Sequence, residues 1–399
     1  MAAPARALLR LSRPKFLAGG LAGGALGTAL AAFEHGRVDW RAYAFAQGTI
    51  TAFHLMTHYA NDYFDRFGDA GASRTAFSGG SGALVDGTVS PAVALGAALA
   101  CAALGVAGAS TLWSGPRAPA AAAIGLAIGL LAWTYSAPPL RLLARGLGEA
   151  DATLVVAVLV PLCAFCAQGG ALDTGAVAGT FAGAAAMFAM MLGVEFPDLA
   201  VDAASGKRNL LVRLGRRTGS RAAIVAVAAI YPAGGLAVVC GAPPLYAIAL
   251  VLTLPVAAGY ALALRRAISA PGDAESLAGR GVALFFLVSV YGALAFTAAA
   301  GARTEGGRAE TKPRGAAVEL HVAPAEALRA RASAALDEVR PGIQRDGGDV
   351  WLVRIDGTIA YVQMVGACGG CAMSTSTLRG AIETVILARC PEISSVEQV

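Results

Sequence analysis

Apolar runs of about twenty residues recur along the chain, each closed by a short group of charged, glycine or proline positions. They fall at residues 14–33, 42–61, 91–112, 118–137, 150–168, 175–195, 219–240, 243–264 and 281–300. About 20 apolar residues in a helix cross about 30 Å of hydrocarbon, so the pattern predicts nine transmembrane helices. After residue 300 the pattern changes. Residues 301–318 are rich in Gly, Arg, Glu, Thr, Lys and Pro and read as a flexible linker. Beyond them, Leu328, Ala332, Leu336 and Val339 repeat at helical spacing from Pro324 to Val339. Residues 350–355 and 358–365 alternate as a hairpin about Asp356-Gly357, a helix follows from about Ser374 to Arg389, and a short strand lies near Ser395. The expected fold class is an all-α polytopic membrane protein with a small C-terminal α+β domain, residues 319–399, of order α-β-β-α-β.

Composition agrees: 56% of the 399 residues are apolar and 14% charged, against about a quarter charged in ordinary soluble domains. The basic N-terminus ahead of an apolar run resembles a signal peptide in outline. The run from Leu17 to Ala32 is long and further spans follow, so it reads as the first helix and not as a cleaved leader. Alternate loops concentrate Lys and Arg, among them Arg10, Arg13, Arg141, Arg145, Lys207 and Arg208, while the intervening loops hold Arg37, Arg41 and Arg117. The positive-inside bias therefore sets the N-terminus and the basic loops in the cytoplasm, in a multi-pass cell-membrane protein. The net charge of +5 is mostly this topological signal. No aromatic-interleaved basic surface argues for nucleic acid.

Carboxylates stand where the second run should leave the membrane, in Asn61-Asp62-Tyr63-Phe64-Asp65-Arg66-Phe67-Gly68-Asp69. At about 100° per residue, Asp62, Asp65 and Asp69 share one helix face. Carboxylates about 6 Å apart repel by about 3 kcal/mol per pair at an effective dielectric near 20, so a cation is expected among them. Oxygen-only donors favour Mg²⁺ or Ca²⁺, and Mg²⁺ is the one that binds through a few carboxylates while sharing its shell with substrate phosphates. Glu195, Asp198 and Asp202 repeat the spacing at the end of the sixth run, with Pro197 expected to kink that turn. Basic and glycine-rich loops share this membrane face: Arg74 before Ser-Gly-Gly-Ser-Gly, Arg141 and Arg145 after Tyr135-Ser-Ala-Pro-Pro, and Lys207-Arg208 after Asp202. Cations beside carboxylates make a mixed site for metal and phosphate. His54 and His58, four apart, lack a third nitrogen or sulfur ligand nearby and read as packing or substrate-contact residues. Cys163 and Cys166, inside the fifth run, read as small core residues.

These motifs, Asn-Asp-x-x-Asp-x-x-x-Asp at 61–69, Tyr-Ser-Ala-Pro-Pro-Leu-Arg at 135–141 and Asp-x-x-x-Asp-x-x-x-Gly-Lys-Arg at 198–208, resemble the UbiA-type intramembrane prenyltransferases over residues 10–300. Within them the chain is most similar to the branch that prenylates 1,4-dihydroxy-2-naphthoate on the way to menaquinone. The resemblance implies a nine-helix membrane fold and Mg²⁺-dependent transfer of a polyprenyl group from its diphosphate to an aromatic acceptor. It implies that Asp62, Asp65, Asp198 and Asp202 hold Mg²⁺, with Asp69 and Glu195 completing the shells and Asn61 adding a neutral oxygen. Lys207, Arg208, Arg141 and Arg74 then stabilise the departing diphosphate, Arg145 joins the same face, and Tyr135 lines the pocket. Other acceptors in the same scheme are 4-hydroxybenzoate and homogentisate.

In the tail, Cys368-Gly-Gly-Cys371 sits between the hairpin and the helix, so a helix dipole favours two thiolates there. A cluster or structural zinc takes four such ligands, so either two chains share one cluster or the pair is a redox dithiol or inert. With Asp346-Gly-Gly-Asp349 upstream, the segment resembles the NifU-like iron-sulfur scaffold. That resemblance implies a [4Fe-4S] cluster bridged by Cys368 and Cys371 of two chains, and hence a homodimer through this domain. Cys390 has no place in the motif. Nine crossings from an inside N-terminus put the tail outside, against the cytosolic side expected of cluster assembly. A second functional class is a membrane-anchored iron-sulfur scaffold or carrier with a catalytically inactive helical part.

Overall fold

The computed structural model describes residues 8–67, 80–112, 118–204, 206–269, 274–310, 324–345, 348–356, 358–366 and 374–398. Contacts divide the chain into two units, Met1–Thr311 and Lys312–Val399.

In the first unit, the helices are α1 (Pro14–His35), α2 (Trp40–Asp65), α3 (Pro91–Thr111), α4 (Ala118–Thr134), α5 (Gly148–Ala167) and α6 (Thr174–Val194). There follow α7 (Leu199–Ala204), α8 (Leu210–Val239), α9 (Pro244–Val251), α10 (Leu254–Ala267) and α11 (Ala274–Glu310). Local chemistry sets the ends: Pro14 and Pro91 occupy first turns where a missing N–H costs nothing. Asp39, Ser90 and Asn209 cap the orphan amides of α2, α3 and α8 with side-chain oxygens.

Among the described residues six helices are long and apolar enough to cross a membrane: α1, α3, α5, α6, α8 and α11. The pair α9 and α10, bent by 51°, makes a seventh if it counts as one span. The nine expected segments all carry helix, yet α2 and α4 fall short of that criterion. Gln47, His54, His58, Asn61 and Asp62 interrupt the apolar run of α2, and α4 has 17 residues. The polarity of α2 comes largely from the first motif and the two histidines that precede it. At the other end, α11 runs on to Glu310, into the stretch expected to be linker.

Small residues let these helices approach closely, because without a hydrophobic drive between them in lipid, packing has to hold them together. A Cβ on Gly27 of α1 would stand 1.9 Å from the Pro161 carbonyl oxygen of α5, so the two backbones touch there. Gly27→Ala is therefore expected to lower stability by about 1–3 kcal/mol, the usual cost of overpacking. Gly48→Ala, whose added Cβ meets nothing within 4 Å, should leave it unchanged. The midpoint of thermal denaturation in detergent compares the two. Inside α5, residues Val155–Leu159 form a π-helical turn, which widens the helix beside the central cavity.

In the second unit, α12 (Pro324–Arg345) and α13 (Ser374–Arg389) accompany β1 (Gly348–Asp356), β2 (Ile359–Gly366) and β3 (Ser395–Gln398). Strand order is β1-β2-β3, with β1 antiparallel to β2 and β3 parallel to β2. The α-β-β-α-β order matches the expected one, although α12 continues past Val339 through Pro341. Ala332, Leu336, Val350, Val362, Ile386 and Val396 form the core, and Cys390 is fully buried among them. Burial pushes the Cys390 thiol up, so it stays protonated and packs as a small apolar group.

Candidate functional site

The last two turns of α2 carry the first motif. Asp62 is 4% exposed, and its carboxylate accepts from the Arg13 guanidinium and from the Ser81 hydroxyl, with the Ser81 amide at 3.3 Å. Arg13 immediately precedes α1 in a left-handed conformation (φ 45°) and also donates to Asn61 Oδ1 at 3.3 Å. Asn61 in turn donates to Asp65 Oδ2 at 2.7 Å and to Ser136 Oγ at 2.9 Å, while Arg141 Nη2 lies 3.9 Å from Asp65 Oδ1. The charge balance that the carboxylate spacing demands is thus met by arginines from two other segments. Nearby, Arg10 pairs with Asp86 at 2.5 Å. The Thr88 hydroxyl, with help from Arg10, holds the Asp86 carboxyl down to about 2.

The second motif does not form one continuous helix face. α6 ends at Val194, Glu195 to Asp198 make a turn about Pro197, and α7 starts at Leu199. Asp202 lies 3.4 Å from Lys207 Nζ and accepts from Asn209 Nδ2 at 2.8 Å. The Asp202 amide donates to the Asp198 carbonyl at 2.8 Å. Glu195 is buried, within electrostatic reach of Glu149, Lys207 and Asp202.

Backbone staples draw the basic loops to the same end of the bundle. The Arg208 amide donates to Ala144 O at 3.3 Å, Arg213 Nη1 to Arg145 O at 3.0 Å, and the Leu210 amide to Glu149 Oε1 at 2.5 Å. Arg208 and Arg145 leave their own side chains exposed. Tyr135 joins the two motifs, being within electrostatic reach of Glu195, Glu149, Asp151 and Asp65.

Beside the first motif lies a cavity of about 620 Å³, walled by Phe16, Ile50, Met187, Met190, Phe285 and Phe286 among other apolar residues. Asn61 and Tyr135 stand on its wall, so the first motif opens directly onto it. His54 and His58 line it too, in edge contact at 4.8 Å, and His58 Nδ1 is 2.7 Å from Ser12 O. Their contact with each other and with Ser12 O is the packing expected of them. Cys163 and Cys166 are buried in the helical core.

Among the described residues no three His, Cys, Asp or Glu side chains gather closely enough to cage a metal ion. The donor chemistry still fits Mg²⁺, which is bound through one or two carboxylates plus substrate phosphates and not by an all-protein cage. Asp69, Arg74, Cys368 and Cys371 lie outside the described residues. Asp349 is described, 3.2 Å from Arg340 Nε at the start of β1. The sequence motifs assign no role to Arg13, Ser81, Ser136, Glu149, Asp151 or Asn209, although Ser81 and Ser136 lie inside two of them. Ser81 ends the glycine-rich loop and Asn209 follows Lys207-Arg208 directly, so motif adjacency marks those two. Arg13 had been absorbed into the topological charge count.

Residues 21–300 match the UbiA prenyltransferase family, and residues 333–397 match the NifU-like domain. The fold is similar to a UbiA homolog from Aeropyrum pernix K1, with TM-score 0.54 and 17% identity over 73% of this chain and 98% of that one. It is also similar to a digeranylgeranylglyceryl phosphate synthase, with TM-score 0.52 and 14% identity over 74% and 99%. The tail is 48% identical over 62 residues to NifU-like protein 2, chloroplastic, of Arabidopsis thaliana, covering 16% of this chain and 26% of that protein. It is 56% identical over 46 residues to nitrogen fixation protein NifU of Azospirillum brasilense, covering 12% and 15%. The chain thus spans about a quarter or less of the length of these two relatives.

Proposed function

The chain belongs to the UbiA prenyltransferase family, and from that membership we propose that it joins a polyprenyl diphosphate to a hydroxy-aromatic acceptor, 1,4-dihydroxy-2-naphthoate first among candidates. It is a membrane prenyltransferase carrying a NifU-like domain. One observation supports the finer reading: Asn61 of the first motif, Val194 just before the second, and Tyr135, within electrostatic reach of Asp65 and Glu195, line one apolar cavity. A prenyl chain and an aromatic ring suit the cavity, and a diphosphate suits the mouth.

In this proposal Asp62 and Asp65 from one side, and Asp198 and Asp202 from the other, hold Mg²⁺ against the diphosphate, with Asp69 and Glu195 beside them. Bound there, the metal supplies a Lewis acid for the leaving oxygens. Lys207, Arg208, Arg141, Arg145 and Arg74 favour the charge that develops on the diphosphate as the allylic C–O bond breaks. The apolar wall keeps water from the cation, and the acceptor ring attacks it instead. Nine crossings, with these loops in the cytoplasm, complete the topology. Quinone profiling by mass spectrometry in cells expressing the chain, set beside transfer to 4-hydroxybenzoate and homogentisate, tests the acceptor. No prenylated naphthoate product would defeat it.

For the tail we propose a [4Fe-4S] cluster bridged by Cys368 and Cys371 of two chains, separate from prenyl transfer. Cys368→Ser is expected to abolish the visible absorption of the reconstituted cluster and the dimer it bridges, while prenyl transfer stays within about twofold. Cys390→Ser should keep the cluster and cost about 1–3 kcal/mol of stability, since it places a hydroxyl in an apolar core. If Cys368→Ser instead stops prenyl transfer, the tail takes part in catalysis.

A further inference from the structure

Within the central cavity most polar groups already have a use. Asn61 is bonded to Asp65 and Ser136, the Thr57 hydroxyl donates to Phe53 O at 2.8 Å, and His58 faces Ser12 O. His54 packs edge-on against His58, and Lys15 lies 5.4 Å over the Phe16 ring. Asp151, in the first turn of α5 and just before its π-helical turn, is different. It lines the cavity, is 7% exposed, and its Oδ1 is buried with no hydrogen-bond partner. Leaving a buried carboxylate oxygen unmatched is costly, so in a cavity such an oxygen calls for a donor from whatever fills the space.

Of the reactants in the proposed function, on which this inference rests, the prenyl chain has no hydrogen-bond donor and its diphosphate is an anion that a carboxylate repels. The acceptor alone brings an O–H. We propose that Asp151 receives the acceptor's hydroxyl and takes its proton as the ring attacks. Electron density from the forming phenolate moves through the ring into the new C–C bond to the allylic carbon. That carbon's bond to oxygen breaks, and its electron pair leaves with the diphosphate. The ring carbon then loses its hydrogen as a proton to the departing diphosphate, and Asp151 returns its own proton to the ring oxygen, so the side chain ends as it began. Asp151, Tyr135 and Asn61 line the same cavity, so the proposed hydroxyl site lies on one wall system with the first motif.

The test uses the full chain in lipid nanodiscs with geranyl diphosphate and Mg²⁺, and compares 1,4-dihydroxy-2-naphthoate with its 1,4-dimethoxy ether. Wild type should favour the dihydroxy compound by at least about 30-fold, as a site built around a donor rejects an analogue lacking it. Asp151→Leu should bring that preference below about threefold. Asp151→Asn, which still accepts but takes no proton, should bind the dihydroxy compound and transfer about 100-fold more slowly. Geranyl diphosphate affinity should be unchanged in both. Retained discrimination in Asp151→Leu, transfer by Asp151→Asn near the wild-type rate, or parallel loss of geranyl diphosphate binding would each overturn the assignment. Failure of wild type to bind geranyl diphosphate would instead sink the parent reading.

Discussion

Asp65→Ala, and separately Asp202→Ala, should each lower Mg²⁺-dependent prenyl transfer by about a thousandfold, the equivalent of about 4 kcal/mol of transition-state stabilisation. Each residue is part-exposed and held by a side-chain amide and a cation: Asn61 and Arg141 for Asp65, Asn209 and Lys207 for Asp202. Such carboxylates can exchange a basic partner for a metal without unburying a charge. The two substitutions should act alike although they sit on different helices, and their effects should not add, because both serve one diphosphate. Raising Mg²⁺ should recover part of the loss if the metal site is weakened and not abolished. Single-turnover transfer from labelled geranyl diphosphate measures this. Full activity in either variant would refute catalysis at the two motifs and favour a membrane-anchored scaffold with an inactive helical part.

The apolar segments were legible because lipid allows little else: a backbone in hydrocarbon has to be helical, so long apolar runs announce helices wherever they occur. Asn61, Asp62 and Asp65 were legible for the converse reason, since carboxylates at the end of such a run demand a purpose. What the pattern missed follows from the same logic. Asp151 stands near the start of an apolar run with no motif around it, and Glu149 lies just before that run, although it is fully buried and accepts from the Leu210 amide of α8. The break between Glu195 and Asp202 falls at the turn about Pro197, where the proline predicts it, so the i, i+3, i+7 spacing of that motif does not lie on one unbroken helix. The tail's order was readable from period-two alternation, and Cys390 found its place only once α13, β3 and the core were assembled.

Arg13→Ala is expected to act in two directions that a purely structural arginine would not combine. Arg13 is the cation against Asp62, whose side chain is 3% exposed against 18% for the arginine. Removing one partner of a buried pair leaves the other charge uncompensated, at a cost of about 3–5 kcal/mol. The Mg²⁺-free variant should therefore melt well below wild type. A divalent cation that binds Asp62 supplies the missing charge, so the increase in melting temperature on adding Mg²⁺ with geranyl diphosphate should be larger in the variant, since ligand binding to the folded state alone raises its stability. Activity should still fall by about a hundredfold, because Arg13 also touches Asn61 and helps set the mouth of the cavity. Arg13→Lys, which keeps the charge but not the fork that reaches both residues, should restore stability more than rate. Thermal denaturation with and without Mg²⁺ decides the matter: an equal shift in wild type and variant would mean that Asp62 and the metal do not meet.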